Sequence, residues 1–205
     1  MRTTTKTVAV FQIIGVFILP ILLVRLGIIP IWYRFIILGI VVAIVAAIMI
    51  SERWTASDAG IRFVNASKGG IPYIFFTIVT VMGLLLYEKI LSVEPARPPV
   101  GYGVAVLLSI SLSTAQEFLF RSFLIPKLLF LLRSPFLVVI VDGLLFSFLH
   151  ILYPDFATLF PIAFIGGLGF AAMYIAFPNL FLISASHAVL NFATALLGFF
   201  VIPSI

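Results

Sequence analysis

Three short patterns in the more apolar half of the chain carry residue types able to move a proton or fix a polar group: Gln116-Glu117-x-x-x-Arg121, Phe146-x-x-x-His150 and His187-x-x-x-Asn191. Carboxylate and imidazole are the common general acids and bases of enzymes. In each pattern the ends lie four residues apart, close to one helical turn, so they share one helix face. Each pattern falls inside an apolar run long enough to cross a bilayer. Ionisable and amide groups are expensive in hydrocarbon and usually face a bundle interior or a wet cavity. Three such faces on three helices predict one shared polar site buried in a membrane protein.

The neighbours of these patterns divide into candidates and bystanders. Glu117 and Arg121 can pair on one helix. Ser184 and Thr194 lie near the His187–Asn191 face and are candidates for lining the cavity. Asp142 precedes His150 by eight residues, which puts it on about the same face but roughly 12 Å away along the axis. It is expected to face a cavity mouth or a neighbouring basic group. Ser109, Ser111, Ser113 and Thr114 read as small packing residues, and Phe118, Phe120, Phe146 and Phe148 as packing aromatics. A single intramembrane histidine is often only an interhelical hydrogen-bond donor. Only the grouping of His150 and His187 with Glu117, Arg121 and Asn191 favours a site. No Gly-x-Ser-x-Gly pattern is present to suggest a serine nucleophile.

The elements that must position these residues are membrane helices. The chain has 205 residues, of which 63% are hydrophobic and 9% charged, against about 25% charged in a soluble domain. Mean hydropathy is +1.32. The expected fold is all-α, a polytopic transmembrane bundle of seven to eight spans around a polar intramembrane cavity. The net charge of +5 does not point to nucleic acid. The basic residues lie at the ends of apolar runs, where they orient the protein and meet anionic lipid. The absence of cysteine excludes disulfides and thiolate metal sites.

Candidate spans are 8–26, 33–50, 71–91, 101–120, 136–152, 158–177 and 180–202. Residues 121–132 either extend the fourth span past a kink near Pro126 or form a further short helix. Residues 1–97 read as N-terminal helices with a polar loop at 51–70, and 98–205 as the functional core. Residues 93–99 form a proline-rich hinge. Gly166, Gly167 and Gly169 permit close helix packing. Trp32, Tyr33 and Trp54 read as interfacial anchors. Arg2 and Lys6 precede the first apolar run without a clear cleavage site, so that segment reads as a retained helix. With 121–132 in the fourth span, Arg2, Lys6, Arg53, Arg62, Lys68, Lys127 and Arg133 fall on the N-terminal side. Arg25, Arg34, Lys89 and Arg97 fall on the other, which favours a cytoplasmic N-terminus.

The three patterns resemble those of the CPBP family, the CAAX-protease and bacteriocin-processing intramembrane endopeptidases. That family is marked by Glu-Glu-x-x-x-Arg, then Phe-x-x-x-His, then His-x-x-x-Asn. Here they read QEFLFR (116–121), FSFLH (146–150) and HAVLN (187–191), so the resemblance covers roughly 100–192. The stretch Ala56–Arg62 also looks like a loop that often precedes the family's core. The resemblance implies peptide-bond hydrolysis within the membrane. By position His150 would assist the base, His187 and Asn191 would form an oxyanion site, Glu117 and Arg121 would be the second glutamate and its partner, and Phe146 the aromatic of the second motif.

The family's first glutamate is replaced by Gln116. An amide can hold a water but cannot deprotonate it. Three outcomes follow: Glu117 takes over as base, His150 acts as base alone, or the protein binds without hydrolysing, as a membrane scaffold or regulator. The resemblance favours a metal-free mechanism with no cofactor. Zinc held by Glu117, His150 and His187 is the alternative. A small transporter or channel is disfavoured because no internal repeat is present. The expected partners are membrane lipid and a membrane-associated peptide or protein, such as a CAAX-like tail or a leader peptide, with no nucleic acid. Small size and short loops suggest a prokaryotic plasma membrane. Substrate identity and oligomeric state are left open by the sequence.

Overall fold

A backbone inside lipid must satisfy its own hydrogen bonds, and a continuous helix does so without leaving its segment. The computed structural model describes residues 4–62, 66–92 and 101–199, and within them the chain is helical with no strand. Six helices are long and apolar enough to cross a bilayer: α1 (Lys6–Arg25), α2 (Ile31–Ser51), α3 (Ala66–Leu91), α4 (Tyr102–Leu132), α5 (Pro135–Leu152) and α6 (Phe156–Ala176). A shorter apolar helix, α7 (Leu180–Leu196), follows. The chain is an integral membrane protein.

The polar residues between apolar runs set where several helices start. Ser134, Asp155 and Asn179 each accept a backbone N–H from the first turn they precede, those of Leu137, Thr158 and Leu182. Pro135 follows Ser134 at the first helical position, where its missing N–H does no harm.

Several boundaries differ from the sequence expectation. The fourth span does not stop near 120 but runs on to Leu132 as one helix, because a π-helical segment (Phe118–Leu124) absorbs the irregularity and Pro126 falls in the turn after it. That removes the separate eighth helix. Residues 66–70, expected in the polar loop, are the first turns of α3. The last helix ends at Leu196 rather than 202. The proline-rich hinge at 93–99 lies outside the described residues.

Helix α4 sits at the centre. Its π-helical segment buries Leu119, Phe120, Phe123 and Leu124 almost completely, and it packs along α7, while α5 pairs with α6 and α3 with α7. The α5–α6 pairing depends on glycine. A Cβ on Gly167 would lie 3.0 Å from the Gly143 Cα and 3.1 Å from the Phe146 Cβ. Gly169 is similarly close to the Phe76 ring, whereas Gly166 borders a cavity.

The Ala56–Arg62 loop is tied to the centre of the bundle. The Ala59 carbonyl accepts from Ser122 Oγ at 2.6 Å, the Gly60 carbonyl from the Leu180 N–H at 2.9 Å, and the Arg62 carbonyl from Asn179 Nδ2 at 2.8 Å. Gly60 has φ +72° and lies against Tyr174, so a side chain there is excluded twice over.

A polar cluster locks α1, the end of α2 and α4 together. Lys127, counted above among the residues at a membrane surface, is fully buried and places Nζ 2.7 and 2.6 Å from the two oxygens of Glu52. Gln12 Nε2 and Trp54 Nε1 also donate to Glu52, and the Lys127 ammonium lies over the Trp54 and Phe123 rings. Trp54 is therefore a member of this cluster rather than a simple interfacial anchor. Burial alone would raise the Glu52 carboxyl, but bonds from Lys127, then Thr4, Gln12 and Trp54, outweigh it and lower it from 4.5 to about 2. A depressed carboxylate stabilises the fold above its ordinary value and loses that contribution as pH falls through the depressed one. The unfolding midpoint in detergent is therefore expected to drop between pH 4.5 and 2, and Glu52→Gln should flatten that limb. An unchanged limb in Glu52→Gln would remove Glu52 from the account.

Candidate active site

Glu117 ends the regular part of α4, and the π-helical segment begins with the next residue. Such segments are rare and often mark functional positions. Glu117 and Arg121 are both fully buried, and Arg121 Nε donates to Glu117 Oε2 at 2.9 Å. Arg121 Nη1 pairs with Asp142, also fully buried, on α5. The other Glu117 oxygen, Oε1, lies 2.7 Å from Nδ1 of His187 on α7. A carboxylate that already accepts from a guanidinium also accepts here, so Nδ1 carries the proton and Nε2 is the imidazole nitrogen not committed to Glu117.

His187 borders a small cavity shared by His150 and Asn191, with Thr194, Phe146, Phe170 and residues of α3 and α6 completing the wall. About 50 Å³ is open to the centres of water molecules, and one water needs about 10–15 Å³ on that measure. The space is large enough for a few waters. His150 sits in the 3₁₀ turn that ends α5 and places Nδ1 3.1 Å from the Phe146 carbonyl. A carbonyl only accepts, so Nδ1 again holds the proton. Phe146 stands between the two imidazoles, with its centroid 5.5 Å from each and the Arg121 guanidinium 5.5 Å from its face.

The residues expected at the site therefore fall into two layers. His150, His187, Asn191 and Phe146 line the cavity. Glu117 and Arg121 sit behind His187 and do not line it. Gln116 is half-buried on α4 and borders this cavity at no point. Thr194 lines the cavity and Ser184 does not. Both Glu117 oxygens are engaged, so the three-ligand zinc set is not assembled in this arrangement, and among the described residues no cluster of three histidine, cysteine or acidic side chains is placed to hold a metal.

The sequence model of the type II CAAX prenyl endopeptidase Rce1-like family matches residues 98–193. These residues run from α4 into α7 and include the charged hub of Glu117, Arg121, Asp142 and His187, and all of the cavity wall but Thr80, Leu84 and Thr194. Over these residues the chain matches the family. No curated protein and no solved structure gives a significant match. The Rce1-like family is one of proteases, and the matched range contains Glu117, Arg121, His150, His187 and Asn191.

Two residues take a larger part in the site than their sequence reading gave them. Ser113, read as a packing residue, is fully buried and accepts from Asn191 Nδ2 at 2.9 Å, fixing the amide. It lies four residues before Glu117, so its helix face was the available signal. Asp142 does meet a basic group, as expected, but that group is the motif's own Arg121.

Proposed function

We propose that the protein is an intramembrane endopeptidase that hydrolyses a peptide bond in a membrane-associated substrate, a CAAX-like tail or a leader peptide. The observation that carries this reading is the Glu117–His187 contact at 2.7 Å on the wall of a cavity that also holds His150 and Asn191. A carboxylate that accepts from one imidazole nitrogen orients the ring and steadies the imidazolium that forms when the other nitrogen takes a proton.

The chemistry starts from a water in this cavity. His187 Nε2 takes a proton from the water as its oxygen attacks the substrate carbonyl carbon. His150 Nε2 accepts from the same water and orients it. The tetrahedral oxyanion receives the second amide N–H of Asn191, the first being held by Ser113. Collapse breaks the C–N bond, and the imidazolium returns its proton to the leaving amine. In this scheme Glu117 supports the base rather than acting on water itself, so the glutamine at 116 does not remove the proton acceptor.

We also propose a prokaryotic plasma membrane, from the small size and short loops, a cytoplasmic N-terminus, from the excess of basic residues on that side, and a mechanism without a metal. The test is cleavage of a set of tail and leader peptides by the protein in proteoliposomes. Wild type is expected to cleave at least one, and Gln116→Glu to keep or raise that rate. The scaffold reading, which the glutamine keeps open, predicts that neither form cleaves any peptide.

A further inference from the structure

Asp142 lies outside the three motifs, two turns before His150 on α5, and is fully buried within a membrane span. A carboxylate is expensive there and calls for a purpose. Its partner is Arg121 Nη1. The guanidinium is a rigid planar fork, so holding one end directs the others. With Nη1 on Asp142, Nε points at Glu117 Oε2, and Glu117 Oε1 is left for His187. An Arg121 released from Asp142 would match the Glu117 carboxylate at two points and draw Oε1 away from the imidazole. Asp142 Oδ1 and Arg121 Nη2 are both buried without a partner, so the pair meets at one point only, and Nη2, the nitrogen on the same side as Nε–H, is held off the Glu117 carboxylate it would otherwise share with Nε.

We propose that Asp142 is a positioning residue: by holding Nη1 it fixes the orientation of the Arg121 guanidinium, so that Nη2 stays off Glu117 and Oε1 is left for His187. This rests on the reading of the cavity as a hydrolytic site, but its test has a readout that needs no cleavage. Nitrogen NMR of labelled imidazoles reports whether His187 carries its proton on Nδ1, with the His150 resonance as an internal control. Cleavage in proteoliposomes reports kcat and KM separately.

Asp142→Leu removes the anchor, whereas Asp142→Asn keeps an acceptor oxygen of the same reach. Asp142→Leu is expected to lose the His187 Nδ1–H signature while that of His150 persists, and to lower kcat by about 10–100-fold, the range for losing a group that orients a histidine, with KM unchanged. Asp142→Asn should keep both properties. Should Asp142→Leu not accumulate as folded protein, Asp142→Ser is read in its place, since its hydroxyl is too short to reach Nη1. An unchanged His187 signature in Asp142→Leu or Asp142→Ser overturns the proposal, as does an equal loss in Asp142→Asn, which would assign the effect to charge rather than anchoring. Absence of cleavage by wild type would end the hydrolytic reading alone, and the NMR comparison would still decide the role of Asp142.

Discussion

Arg121→Met is expected to destabilise the protein by about 3–5 kcal/mol, the usual penalty for removing one partner of a buried ion pair. The reason is specific to this hub. Arg121 is fully buried and is the counter-charge to both Glu117 and Asp142, which are themselves fully buried. Methionine fills much of the volume but leaves two carboxylates in a low-dielectric interior with no cation. Arg121→Lys keeps the charge, yet a single ammonium lacks the planar fork that reaches both acids, so it should restore only part of the loss. Adding Glu117→Gln and Asp142→Asn to Arg121→Met removes the stranded charges and should recover stability relative to Arg121→Met alone. Unfolding in mixed micelles measures all four proteins. Stability of Arg121→Met within about 1 kcal/mol of wild type, the worth of a surface pair, would contradict the hub as described.

His187→Gln is expected to reduce turnover by about 10²–10⁴-fold, the range for general acid–base catalysis. Glutamine can still donate an amide N–H to Glu117 Oε1, so the contact seen at 2.7 Å has a replacement, but an amide cannot accept the proton from water. The thermal midpoint should therefore change little while kcat falls. If His187→Gln instead unfolds the protein and leaves the surviving folded fraction fully active, His187 is a strut and not a base.

The parts of this molecule that were legible in its sequence are those set by composition and by helical periodicity. Apolar runs gave most crossings to within a few residues because lipid leaves a backbone little choice but helix, whereas the ends of the fourth and last helices were missed by twelve and six residues. The i, i+4 spacing of Glu117 and Arg121 predicted their pairing because four residues nearly complete a turn. What was not legible depends on how helices dock. Glu117 presents one oxygen to α7 and the other to its own helix, which separates it from the cavity that His150, His187 and Asn191 share. Spacing along a chain carries no information about that separation. The π-helical segment after Glu117 likewise has no periodic signature, and it shifts the register of Arg121 and Ser122 relative to a regular helix. Lys127 looked like a residue at a span end, yet Glu52 reaches it from 75 positions earlier in the chain.

The most direct measurement of the central claim is cleavage in proteoliposomes prepared in water enriched in heavy oxygen, read by mass spectrometry of the peptide products. The account predicts that wild type releases two fragments, that the new carboxyl terminus carries one heavy oxygen, and that His187→Gln reduces this product by at least about 10²-fold. Undiminished heavy-oxygen product from His187→Gln, or no product from wild type on any membrane-bound peptide, would contradict it.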